Sequence, residues 1–235
     1  MFVFREELFL DANLQFGCCL SNEEQPSESE SSTAAPSAAP ADAAPPVSKR
    51  QQKREAITQA AKMQKEIGEL CEAESDIPAA IEAFQAAADY YQGEESTSAA
   101  NQCLLKVAGF CAQTTDYKRA IEIYEQVAMA SLENTLLKWS VKDYLLRAGI
   151  CRLASGEIGD AVRALERYNS MDSTFSGTRE GEFLMSITTA YENLDADAFT
   201  DKVREYDEIS RLDAQKTTLL LEVKNQMKSQ MNDLT

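Results

Sequence analysis

Apolar residues recur at helical spacing in DYKRAIEIYEQVA, residues 116–128, and the same arrangement stands 40 residues earlier in DIPAAIEAFQAAA. Each stretch opens on an acid (Asp116, Asp76) and carries a small residue (Ala120, Ala80), an Ile-Glu pair and an aromatic (Tyr124, Phe84). A weaker third copy, EIGDAVRALERY, puts Ala161 and Val162 in the Ala-Ile slots. The segments ahead of these units match as well: LLKVAGFC at 104–111 and YLLRAGIC at 144–151 align at the same 40-residue offset, with Gly109 and Gly149 in one slot. A period near 40 in helical sequence implies stacked helix pairs, each too small to hide its apolar face alone. A glycine inside a helix costs about 1 kcal/mol against alanine, so its repetition predicts close helix-to-helix approach within the stack.

The pattern predicts helices over 51–73, 76–91, 96–113, 116–131, 135–154, 157–169, 177–193, 195–210 and 213–231. Asp76 is expected to cap the second helix, and QGEE at 92–95 to end it. Pro78 falls in that helix's first turn, where its missing N–H costs little. The last helix carries Leu219, Leu220, Leu221 and Val223 and then turns polar as NQMKSQMND, an end expected to fray. The fold class is therefore all-α: a TPR-like, right-handed stack of antiparallel helix hairpins ending in a helical bundle. The expected divisions are 1–20, a short apolar or amphipathic segment; 21–50, a linker; 51–170, hairpin repeats; and 171–235, the bundle and tail.

Residues 21–47 hold five of the six prolines and almost no large apolar side chains, so burial cannot offset their ordering entropy and disorder is expected. The first twenty residues mix Phe2, Val3, Phe4, Leu8, Phe9 and Leu10 with Arg5, Glu6, Glu7 and Asp11, which fails as a secretory signal. Either they form a short amphipathic helix touching a membrane or partner, with Cys18 and Cys19 as acylation sites, or they are a poorly ordered terminus.

Charge and composition narrow the chemistry. The 235 residues carry a net charge of −16, which argues against a nucleic-acid partner, since phosphate neutralisation needs an excess of lysine and arginine. There is no histidine, which removes the commonest general base and most zinc sites other than all-cysteine ones. The six cysteines lack CxxC spacing and read as buried thiols in a reducing compartment. No catalytic residue, metal ligand or cofactor site is expected, and repeat arrays of this kind generally bind proteins.

The few basic residues gather on the first helices of two adjacent pairs: Lys106, Lys138, Lys142 and Arg147, with Lys138 and Lys142 four apart on one face. Leu136 and Trp139 share that opening turn. This is either a local electropositive face with apolar contacts for an acidic partner, or ordinary solvated lysines beside a packed tryptophan. Asp233-Leu234-Thr235 sets a lone leucine after a polar stretch, either an irrelevant tail residue or a hook for a partner's pocket, the latter contributing about 1.5–3 kcal/mol if fully buried.

Over about residues 57–235 the sequence resembles the alpha-type soluble NSF attachment protein family, in a form similar to plant or algal members. The likeness is carried by ADYYQGEESTSAANQCLLKVAGFCAQTTDYKRAIEIYEQVA, LLKWSVKDYLLRAGIC, FSGTRE, REYDEISRLDAQKTTLLLEVK and the closing DLT. It implies a twisted stack of helix hairpins and an adaptor role: lining the SNARE helical bundle (syntaxin-type and related helices), recruiting the hexameric AAA ATPase NSF, and coupling ATP hydrolysis to SNARE disassembly after membrane fusion. By position it implies that Lys106, Leu136, Lys138, Trp139 and Lys142 face the SNARE bundle, and that Arg179, Glu192, Asp233 and Leu234 lie on the NSF-facing end. A cytoplasmic protein, peripheral on the cytosolic face of membranes, is the implied setting.

Three departures from the family pattern bear on that expectation. Gln102 stands where members commonly have lysine, and the acidic cluster before the penultimate leucine is reduced to Asp233 beside Asn232. The family normally begins with further hairpins, including an apolar membrane-touching loop, whereas the first fifty residues here do not resemble it. A shorter SNARE-facing surface is therefore expected, with NSF bound more normally than SNAREs.

Overall fold

Of the acids that open the repeats, Asp76 and Asp116 cap their helices through the side chain and Glu157 does not. The computed structural model describes residues 48–134 and 137–233, the side chains of Asn232 and Asp233 excepted. The described residues form α1 (Lys49–Ala73), α2 (Ile77–Gly93), α3 (Thr97–Gln113), α4 (Tyr117–Leu132) and α5 (Lys138–Ala154). They continue as α6 (Ile158–Met171), α7 (Arg179–Glu192), α8 (Ala196–Ile209) and α9 (Ala214–Asp233), with a 3-10 turn at Phe175–Gly177 and no strand among them. Asp76 accepts a hydrogen bond from the Ala79 N–H, Asp116 from that of Arg119, and Asp195 from those of Asp197 and Ala198. Each satisfies a donor that the first helical turn leaves unpaired. The expected segment at 1–20, most of the linker at 21–50, Cys18, Cys19, Leu136 and Leu234 lie outside the described residues; α1 starts at Lys49, inside the expected linker.

The turns share one geometry that no residue type announces. Ser75, Glu95, Thr115 and Leu194 each adopt positive φ immediately before an N-cap. The N–H of that N-cap reaches back five residues to a carbonyl: Asp76 to Cys71, Ser96 to Tyr91, Asp116 to Cys111, Asp195 to Ala190. This is the paired 6→1 and 5→2 closure of a Schellman ending, which usually recruits glycine at the left-handed position. Here only Gly156, φ 82°, follows that preference. At the other four the repeated helix packing imposes a backbone that the side chain disfavours.

Successive helices pack on one another from α1 to α5, and α5 then branches, contacting α6, α7 and α9. Lys142 meets Glu180 and Gly149 meets Leu184, so α5 and α7 run parallel. Arg147 meets Gln215 and Ala154 meets Gln226, so α9 is parallel to α5 too, and it also reaches α3. Ala120, Ile121 and Tyr124, the repeated positions of the sequence, are buried, as are their counterparts Ala80 and Phe84. Phe84 stacks on Phe110 at 6.0 Å between ring centres. Pro46–Thr235 groups as one compact unit.

The repeated glycine slot admits side chains from α7 and α9. A Cβ on Gly109 would stand 2.6 Å from the Gln215 amide of α9, and one on Gly149 would overlap Leu184 of α7. The close approach expected within the stack is thus made to α7 at Gly149 and to α9 at Gly109. The polar end of α9 does not fray: it stays helical to Asp233, because Met227 is fully buried, Gln226 donates to the Ala154 carbonyl (2.8 Å) and Gln230 to the Tyr191 hydroxyl (3.2 Å).

Candidate functional site

Trp139 opens α5 and is 82% exposed, more than any other large apolar side chain among the described residues. That overturns the packed-tryptophan alternative. Lys138 beside it is exposed and, among the described residues, makes no ion pair. Lys142, one turn on, instead holds Glu180 of α7 at 3.0 Å. The second Glu180 oxygen is buried without a partner, so this pair is more than a surface coincidence. Leu136, the fifth member of the predicted face, lies outside the described residues.

Lys106 stands elsewhere. It lines a groove of about 730 Å³ bordered by Glu69 and Glu72 of α1, Gln102 of α3, Tyr144 of α5 and Gln215 of α9. Its ammonium donates to both Glu72 oxygens, at 2.8 and 2.9 Å. Lys138, Trp139 and Lys142 do not border that groove. The structure therefore divides the predicted basic face into a paired lysine in a groove and an exposed Lys-Trp turn next to a second paired lysine. The acids that pair with these lysines, Glu72 and Glu180, were missed by sequence reasoning. They are 34 and 38 residues from their lysines, so no local spacing relates them.

Arg147 does not belong to an exposed basic face. Its Nε donates to Asp143 (2.9 Å), Nη1 to Gln215 (3.0 Å) and Nη2 to Asp213 (2.6 Å). Lys216 also binds Asp143 and lies 3.5 Å from Asp213, while its backbone N–H is capped by Asp213 at 2.8 Å. Burial acts to raise the Asp143 pKa, but Arg147 and Lys216 together outweigh it and hold the carboxyl below its ordinary value. Asp213 is lowered in the same way: burial opposes, and the Lys216 N–H with the Arg147 charge prevails. Two cations and two carboxylates thus bolt the start of α9 to α5, which is the physical reason that Arg147 is unavailable to a partner.

The residues predicted to face NSF separate too. Arg179 and Glu192, both exposed, stand at the two ends of α7, about 20 Å apart at 1.5 Å per residue. Glu192 follows Tyr191, whose hydroxyl binds Gln230, so it lies beside the end of α9 that leads to Asp233 and Leu234. Arg179 precedes Glu180 and sits with Lys142 at the opposite end. The Asp233 side chain and Leu234 fall outside what is described.

Among the cysteines, Cys103, Cys111 and Cys151 are buried as expected, and Cys71 is partly exposed. Burial pushes the Cys151 thiol up to about 12, which leaves it protonated and unreactive. Among the described residues no group of three potential metal ligands occurs, and no helix is long and apolar enough to cross a membrane.

Known proteins share much of this sequence. The family described as Soluble NSF attachment protein, SNAP, matches residues 30–228. The chain belongs to the soluble NSF attachment protein family. An alpha-soluble NSF attachment protein of Vitis vinifera is 50% identical over 179 residues, covering 75% of this chain and 62% of the relative. One from Dictyostelium discoideum is 50% identical over 165 residues, 70% of this chain and 57% of the relative. A probable vesicular-fusion protein sec17 homolog of Schizosaccharomyces pombe is 40% identical over 184 residues, 78% of this chain and 64% of the relative. This SNAP-family chain spans about six-tenths of the length of these curated relatives. The family match reaches back to residue 30, so it takes in residues 30–50, which were expected to stand apart from the family.

Proposed function

We propose that this chain is a non-enzymatic adaptor that binds SNARE complexes and recruits and stimulates the NSF ATPase for SNARE disassembly in vesicle fusion and intracellular transport. It would act in the cytoplasm, peripherally on the cytosolic face of membranes, with NSF supplying the ATP chemistry. The observation that carries the reading is an exposed Trp139 beside an unpaired Lys138 on a chain of this family. An indole offers a large, rigid contact and the ammonium an attraction to an acidic helical bundle that tolerates sequence changes. Lys142 and Lys106 add to this surface by exchanging their internal acids for those of the bundle. Glu192, Asp233 and Leu234 form the NSF-facing end, and Arg179 goes with the SNARE-facing group.

The test is the NSF ATPase rate with the purified chain, with and without a SNARE bundle. Stimulation that requires the bundle is expected, and no stimulation or capture at high concentration overturns the reading. Leu234→Ala should abolish stimulation while leaving SNARE capture intact. A second reading is favoured by the pairing of Lys106 with Glu72 and of Lys142 with Glu180, which weakens the cationic face. In it the chain engages NSF but handles SNAREs poorly, and it slows disassembly when added to a complete adaptor. A generic TPR-type scaffold would leave NSF unaffected.

A further inference from the structure

The three lysines of the partner-facing surface are held to three different degrees. Lys138 is exposed and makes no ion pair among the described residues. Lys106 donates to both oxygens of Glu72, yet the two side chains keep 50% and 37% of their surface in water. Lys142 meets Glu180 across the contact of α5 with α7, where the carboxylate keeps only 13% and its second oxygen is sealed off without a partner. An exposed pair opens at little cost, whereas a carboxylate shut into a helix contact loses its counter-charge when the lysine leaves. Glu180 also lies in the first turn of α7, where the helix dipole favours an ionised carboxylate. It is therefore a standing competitor for Lys142.

The groove around Lys106 has the same character. Of its other cations, Lys65 lies 3.8 Å from Glu69 and Arg147 lies 2.9 Å from Asp143. A sparsely acidic partner gains little there, because each carboxylate that it brings replaces one already in place. A net gain requires several carboxylates presented together, so that the loss of one internal pair is offset by attraction to its neighbours. Discrimination among partners then comes from what binding must break as well as from what it makes.

We propose that Glu72 and Glu180 are internal competitors for a partner's carboxylates, set at two strengths, so that Lys138 engages first, Lys106 second, and Lys142 only with a densely acidic helical bundle. The proposal rests on the adaptor reading above. It adds that one acid of α1 and one of α7 fix how acidic a partner must be before the chain holds it.

Titrated capture of a purified SNARE bundle by the full chain at low salt tests this. Glu180→Gln should tighten capture about fivefold and Glu72→Gln about twofold, in the order of their burial. The amide keeps the shape of each side chain, and unchanged circular dichroism should confirm the fold. Glu182→Gln removes the same charge from an exposed, unpaired position of α7 two residues on, and should change capture by less than about 1.5-fold. That control separates a local competitor from a general fall in negative charge. Lys142→Gln should weaken capture about twofold alone, and in its presence Glu180→Gln should lose its effect, a coupling that independent residues do not show. Equal gains from Glu180→Gln and Glu182→Gln, no gain from Glu180→Gln, or a gain that survives Lys142→Gln would each overturn the proposal while wild-type capture leaves the adaptor reading standing. No capture by the wild type or any variant overturns that reading and the proposal with it.

Discussion

The two halves of α5 carry similar residues to opposite ends. In its first turn Lys138 and Trp139 stand in solvent; two turns further on, Arg147 is enclosed by Asp143, Asp213 and Gln215, and Gly149 is filled by Leu184. Both halves look alike in sequence, a cation beside apolar residues on one helix. The difference lies in what α7 and α9 bring to each. Where a returning helix supplies carboxylates, the cation becomes part of the scaffold; where none reaches, it stays in solvent. Lys142 is intermediate, half-exposed and held by one acid.

Removing Arg147 should break this contrast most. Arg147→Ala leaves Asp143 and Asp213 facing one another with only Lys216 between, and truncating one partner of a partly buried ion network costs about 1.5–3 kcal/mol. Urea unfolding should register that loss, while Trp139 fluorescence in the folded state remains that of an exposed indole. Gly149→Ala should cost about 1–3 kcal/mol, because the new methyl overlaps Leu184 in a packed interface. Thermal melting checks it, and an unchanged midpoint would mean that Leu184 yields freely.

Acid should erase the same distinction. Asp143 and Asp213 have folded pKa values below their ordinary ones, so their contribution is fully present above the ordinary carboxylate value and is lost as pH falls through the folded values. Denaturation at stepped pH should therefore show the wild type converging on Arg147→Ala as the carboxylates protonate. At the exposed end, effects on stability should be small. Lys142→Gln should cost about 1 kcal/mol or less, as partly exposed pairs do, and Trp139→Ala should stay within about 0.5 kcal/mol of wild type. Yet Trp139→Ala should reduce SNARE capture more than Arg147→Lys does, which pull-down at matched folded fraction would decide.

Much of the fold was legible because its signals are local. Helix positions followed from apolar spacing to within a few residues, and Asp76 caps as its position suggested. The turn geometry was not legible, since Ser75, Glu95, Thr115 and Leu194 carry no glycine to mark a left-handed residue. At the candidate site the sequence singled out Lys106, Lys138, Lys142 and Trp139, but also Arg147, and it grouped Arg179 with Glu192. What spacing could not show has one cause. Whether a charge is free depends on acids 34 to 66 residues away, and which end of the stack a residue occupies depends on helix direction.

By itself, then, the sequence determined the helices, their pairing period and the kinship with an adaptor family, because periodicity, caps and long motifs are properties of neighbouring residues. The tertiary structure alone decided which cations are bolts and which are exposed. α9 returns alongside α5 and spends its first turn on Arg147, while nothing described returns as far as Trp139. Electrostatic pairing and burial act through space, and the chain's order in space is set only once α7, α8 and α9 have folded back on it.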